Sequence, residues 1–191
     1  FEDDPYIDIR FRGEDLPTML SMDESQRVVF ASSFSKTVCP GLRTGYLVGP
    51  QDLIKQITTM ATNTYIAPNM LAQATIYQFA ISGALRRSIE NVREALAERA
   101  GILATALASH LPQAKCTAPD GGYFLWVDLG EDVDVDALVP AAVKRGVQVV
   151  KGTDFLVSGG HHSLRLAYSA VTADRVDEGV RRLADAVKDC Q

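Results

Sequence analysis

The segment Val28–Gly49, VVFASSFSKTVCPGLRTGYLVG, restricts the possible folds more than any other part of the chain. An apolar, β-branched run over Val28–Ala31 ends in the small hydroxyl residues Ser32, Ser33 and Ser35. A single lysine, Lys36, follows, and Pro40–Gly41 then forces a turn. A second strand-like run, LRTGYLVG, closes at Gly49–Pro50. Two neighbouring strands around such a turn suit the edge of a sheet.

The same residues suggest chemistry. Hydroxyls at Ser33 and Ser35, the Arg43 guanidinium and the backbone amides of a turn together make a phosphate cradle. A lysine beside it is what a Schiff-base enzyme with a phosphorylated aldehyde cofactor requires. The pattern is not a Walker loop, because GxxxxGK[ST] is absent and Lys36 follows a serine. By spacing alone, a second reading stays open in which Lys36 is a surface turn residue and Arg43 a salt-bridge partner.

Around this segment the chain reads as alternating strands and helices. YIDIRF, starting at Tyr6, predicts a short strand or extension, and residues 12–26 a polar loop. Apolar residues at Leu53, Ile54, Ile57 and Met60 predict a helix over 52–62. Asn69 is placed to cap a second helix over 70–81. The longest periodic stretch, 85–110, has Gly101 as its soft spot, costing about 1 kcal/mol against alanine in a helix. Beyond Pro112 the order is strand (115–117), strand through GYFLWVDLG, helix (135–145), strand through VQVVKG, strand (163–168) and a last helix through Val187. Phe124, Trp126 and Leu129 are expected in the core or an interface, Tyr65 as an ordinary packed aromatic, Cys39 as packing, and His161–His162 at a solvent-facing hairpin tip. This is an α/β chain with helices over a sheet. The boundary is expected inside the long helix, giving domains 1–88 and 89–191.

Composition excludes some classes. The 191 residues carry a formal charge of −5, which argues against nucleic-acid binding as the main role. Three cysteines without regular spacing suggest neither a disulfide framework nor a metal site, and the histidines share no ligand spacing. A reducing cytoplasm fits. No apolar run approaches the roughly 20 residues of a membrane-spanning helix. The first residue is Phe1 and FEDDPY reads as a strand already in progress, so an excerpt of a longer polypeptide is expected.

Three motifs carry a family resemblance. SFSKTVCPGLRTG resembles the cofactor-lysine segment of fold-type I pyridoxal-phosphate enzymes, above all the α-aminoadipate/kynurenine aminotransferase branch and the aminotransferase-like domains of bacterial regulators. EDDPY resembles that family's Asp-x-x-Tyr element, and HHSLRLAYS its carboxylate-binding arginine segment. The resemblance implies the C-terminal part of the pyridoxal-phosphate transferase fold: the last elements of a large domain plus a small α/β domain. It implies pyridoxal 5′-phosphate as cofactor, an amino acid and a 2-oxo acid as substrates, and a homodimer.

It also implies roles. Lys36 is the covalent and catalytic amine, Ser33, Ser35 and Arg43 hold the phosphate, Asp3 faces the pyridine nitrogen and Tyr6 the phenolic oxygen. Arg165 takes the substrate carboxylate. By pattern alone Asp3 and Tyr6 read as solvent-facing loop residues. Arg165 reads equally as a strand residue turned to water or as an anion ligand. Lys151 is the other amine to weigh, but it lies away from any Ser/Arg support. The rival readings are an effector-binding domain that keeps the cofactor without turnover, a lyase or decarboxylase using the same residues, and an inert interaction fragment.

Overall fold

Strand β1 (Glu2–Asp3) pairs in parallel with β2 (Phe30–Ser33), and β2 pairs antiparallel with β3 (Gly45–Val48). The computed structural model describes residues 1–190. They divide into two compact units, one covering Phe1–Arg93 and the second starting at Glu94.

In the first unit, Asp23 organises the entry to β2. Its carboxylate accepts the backbone N–H groups of Ser25, Arg27 and Val28 at 2.9, 2.6 and 2.7 Å. These bonds hold the carboxyl at about 2, well below its ordinary value. The segment after β2 turns through a short 3-10 stretch, Pro40–Leu42, and Arg43 then takes a left-handed conformation (φ 50°, ψ 41°). The second strand is therefore shorter than LRTGYLVG suggests.

Helix α1 (Gln51–Tyr65) and helix α2 (Met70–Ile81) follow, α2 capped by the Asn69 side chain accepting from the Ala72 N–H at 3.1 Å. Between them Ile66 has φ 67° and ψ −66°, and the Ala67 N–H reaches back to the Tyr65 carbonyl at 2.8 Å. That is a γ-turn with a β-branched residue at its centre, a strained arrangement.

Three expectations fail in this unit. YIDIRF is not extended: Ile7–Ile9 forms a single 3-10 turn, started by Asp4, whose carboxylate accepts the Tyr6 N–H at 2.9 Å. A local side-chain acceptor outcompetes a strand ladder there. Tyr65 is not packed but 59% exposed, because it ends α1 at the strained turn. Cys39 is exposed rather than packed, since it opens the Pro40 turn.

Helix α3 (Ala84–His110) contains the division between the units. In the second unit, β4 (Lys115–Cys116), β5 (Phe124–Asp128), β6 (Val150–Lys151) and β7 (Ser163–Ala167) form an antiparallel sheet in the order β4-β5-β7-β6. Helices α4 (Val135–Lys144) and α5 (Ala173–Asp189) complete it.

The core follows from strict alternation. Leu125, Val127 and Leu129, with Leu164, Leu166 and Tyr168, are buried on one face of the sheet. Val176, Val180, Leu183 and Val187 recur at helical spacing and are buried along α5. The other sheet face carries Trp126, which is 39% exposed and so no core residue. His161 is exposed as expected. His162 instead turns inward, with Nδ1 2.8 Å from the Val133 carbonyl oxygen.

Candidate active site

The first unit holds six of the seven residues singled out above. Side chains along a strand alternate between faces, so the pairing of Asp3 with Ala31 puts Asp3 on the same face of the sheet as Ala31 and Ser33. Asp3 is exposed on that face, whereas Asp4 spends its carboxylate on the Tyr6 N–H.

Beyond the end of β2 the hydroxyls form a small network. Ser33 Oγ lies 2.8 Å from Ser35 Oγ, accepts the Ser35 N–H at 3.1 Å and lies 3.3 Å from the Thr44 carbonyl oxygen. Each hydroxyl can rotate its proton toward an arriving acceptor. Ser32, on the opposite face, is buried and donates to the Asp4 carbonyl at 2.9 Å, tying the two strands together at this end.

Lys36 follows directly. Its Nζ lies 5.4 Å from the centroid of the Tyr6 ring, within cation–π range. Thr37 is buried, and its carbonyl accepts from the Ser88 hydroxyl at 2.7 Å, so α3 braces the lysine loop. Arg43 is exposed and reaches only its own turn, with Nη1 3.4 Å from the Pro40 carbonyl oxygen. A carboxylate and a phenol thus lie at the end of β1, two hydroxyls and an amine at the end of β2, and a guanidinium just before β3. This donor set suits a small aromatic phosphate that also bears an aldehyde.

An open cleft of about 540 Å³ lies nearby, lined by Ala31, Gly45, Leu47, Ile57, Ala61 and others. None of the candidate residues lines it, and its walls are largely apolar.

The second unit holds the seventh residue. Arg165, central in β7, is paired with Trp126 of β5 and Val150 of β6. Its guanidinium carbon lies 4.0 Å from the centroid of the Phe124 ring and 4.1 Å from that of Phe155. Its Nε is buried and has no hydrogen-bond partner. Phe155 is the participant that sequence reasoning missed: it sits in an irregular segment, and no periodic signal ties it to Arg165. Lys151, the other amine, bonds Asp136 at 2.7 Å, and that bond raises its pKa and keeps it an ammonium. Tyr168 donates to the Gly122 carbonyl at 2.8 Å, and burial pushes its phenol up to about 12. It is a structural donor.

Among the described residues no group of three or more His, Cys, Asp or Glu is arranged to hold a metal. No described helix is long and apolar enough to cross a membrane.

Comparison with known proteins gives a consistent pattern. The family model for aminotransferase class I and II matches residues 1–183. The aromatic-amino-acid aminotransferase 1 of Thermococcus litoralis is 29% identical over 190 residues, covering 98% of this chain and 46% of that protein. The uncharacterised HTH-type transcriptional regulator YdfD of Bacillus subtilis is 27% identical over 191 residues, covering 98% of this chain and 39% of the regulator. Among solved structures, LysN, the α-aminoadipate aminotransferase of Thermus thermophilus, crystallised with N-(5′-phosphopyridoxyl)-L-leucine, superposes with a TM-score of 0.90 at 28% identity. That match covers 99% of this chain and 50% of LysN. The chain spans about half the length of the curated relatives it matches.

Proposed function

Because this chain belongs to the class I and II aminotransferase family, we propose that it supplies the cofactor-lysine portion of a pyridoxal-5′-phosphate-dependent enzyme moving an amino group between an amino acid and a 2-oxo acid. The observation that carries this reading is the cluster at the ends of β1 and β2. There the Ser33–Ser35 hydroxyl pair at 2.8 Å adjoins Lys36, whose amine lies 5.4 Å from the Tyr6 ring. In this reading Phe1–Arg93 belongs to the cofactor-binding domain, and the unit from Glu94 on is the small domain.

When bound, pyridoxal phosphate supplies an electron sink that makes the α-proton of an amino acid removable. The chain's own residues do the rest. The Ser33 and Ser35 hydroxyls would donate hydrogen bonds to the phosphate, and the Arg43 guanidinium would add a fork of donors. Asp3 is the carboxylate that would face the ring nitrogen and favour its protonated form. The Tyr6 hydroxyl would donate to the phenolic oxygen. Lys36 Nζ would be the amine for covalent attachment and the base that moves the α-proton. Arg165 takes the substrate carboxylate. The enzyme works as a homodimer in the cytoplasm.

The test uses the full-length protein loaded with pyridoxal phosphate. The wild type shows the visible absorbance of lysine-bound cofactor and transfers amine from an amino acid to 2-oxoglutarate. Lys36→Ala loses the band, and an unchanged band overturns the assignment of Lys36.

The likeness to YdfD favours a second reading, an effector domain that binds the cofactor without efficient turnover. A wild-type protein with the band but no amine transfer to any of a panel of 2-oxo acids decides for it.

A further inference from the structure

Arg165 is ill-provided for as a structural residue. Its Nε is buried with no hydrogen-bond partner, and a guanidinium does not shed its charge at any pH a folded protein meets. A desolvated N–H without an acceptor is costly. What surrounds the cation instead is aromatic: Phe124 and Phe155 flank it at 4.0 and 4.1 Å, and Phe155 meets the Trp126 ring edge-on at 6.1 Å and 79°. Phe124 and Trp126 share one face of β5, the face on which Arg165 stands in the pairing with Trp126.

The loop that delivers Phe155 is fastened at its base. The Phe155 N–H bonds the Gly152 carbonyl at 3.0 Å, and Ser163 N–H bonds the Gly160 carbonyl at 3.2 Å. Gly152 and Gly160 touch backbone to backbone. A Cβ on Gly160 would stand 2.6 Å from the Gly152 carbonyl carbon, and one on Gly152 2.8 Å from the Gly160 oxygen. No side chain fits at either position, so the two ends of the loop stay together and fix where Phe155 can reach.

We propose that Phe155 and Phe124 form an aromatic clamp that holds the Arg165 guanidinium in one orientation, with its edge turned to donate to a carboxylate. Phe155 is the positioning residue, since it comes from outside the strands whereas Phe124 belongs to β5 itself. Aromatic rings at these distances stabilise the cation and keep water from it, and a planar fork held still forms two parallel bonds to a carboxylate at little further entropic cost. The inference rests on the reading of Arg165 as the carboxylate ligand and adds what sets its geometry.

The test measures binding of 3-phenylpropionate, a carboxylate without an amine to react, to the cofactor-loaded full-length protein by calorimetry. The KM and kcat for amino donors are measured alongside. Phe155→Ala and Phe155→Leu should each raise the dissociation constant and KM by about tenfold with kcat nearly unchanged, and Phe155→Tyr should restore both. Leucine keeps the bulk and loses the ring, so a wild-type Phe155→Leu overturns the clamp. So does a wild-type Phe155→Ala in a protein where Arg165→Ala abolishes binding. If Arg165→Ala itself binds normally, the carboxylate reading falls and the clamp with it. If Phe155→Ala does not fold, the leucine and tyrosine variants decide.

Discussion

The ammonium of Lys36 lies 5.4 Å from the centre of the Tyr6 ring, although the two residues belong to different strands' ends. Parallel pairing of Glu2 with Phe30 and Asp3 with Ala31 aligns β1 and β2, and both chains then leave the sheet at the same edge. The ring supports the cation from one side, and the hydroxyl is a separate function on the same side chain.

Substitution at Tyr6 separates those two functions. Tyr6→Phe keeps the ring and should lower the thermal midpoint less than Tyr6→Leu does, while turnover of the loaded protein falls roughly tenfold through loss of one hydrogen bond in the site. Tyr6→Leu should lower both. Melting curves and steady-state rates on the same preparations check this.

Ser33 and Ser35 should differ in kind. Ser33 Oγ accepts the Ser35 N–H and so shapes the loop, whereas the Ser35 hydroxyl bonds only Ser33. Ser33→Ala is expected to cost about 1 kcal/mol of stability as well as cofactor affinity. Ser35→Ala leaves the Ser35 N–H bond to Ser33 Oγ in place and should cost less stability while still weakening cofactor binding. Chemical denaturation together with cofactor titration distinguishes them, and equal stability losses would contradict the assignment.

Gly101 lies within α3, is exposed, and a Cβ there meets nothing within 4 Å. Its conformation needs no glycine. Gly101→Ala should therefore stabilise the protein by about 0.5–1 kcal/mol, through the smaller backbone entropy of the unfolded chain. Scanning calorimetry reads this as a rise of a few degrees in midpoint.

Asp23 carries an acid-side dependence. Its folded carboxyl titrates at about 2, against an unfolded value of about 3.9. The folded state binds fewer protons there, so the contribution is complete above the unfolded value and disappears as pH falls through the folded one. The stability gap between the wild type and Asp23→Asn should be constant above about pH 5 and close progressively as the pH approaches 2. Urea midpoints at stepped pH measure it. A gap that widens on acidification would contradict the hydrogen-bonded turn.

Local chemistry was legible where a residue acts on its own neighbours. The α2 cap at Asn69, the apolar stripe of α5 and the alternation of β5 and β7 follow from spacings that are the same in a peptide and in a fold. The cluster of Ser33, Ser35 and Lys36 is legible for the same reason, because three residues within four positions stay close whatever the rest of the chain does. YIDIRF misled because its weak alternation ignores the Asp4 side chain, which supplies a turn acceptor that periodicity does not register.

What the amino-acid sequence determined by itself was the order of elements, the α/β class, and the family and its motifs. Tertiary structure alone decided the company each candidate keeps. It set Tyr6 against Lys36 through a strand pairing, left Tyr65 and Trp126 exposed, and placed Phe155 on Arg165. Those relationships depend on which backbones meet across the sheets and on where a glycine-fastened loop lands, and no spacing along one chain encodes them. Arg165 shows the difference most plainly. Its pattern left water and an anion equally open, and a buried Nε between two phenylalanine rings favours the anion.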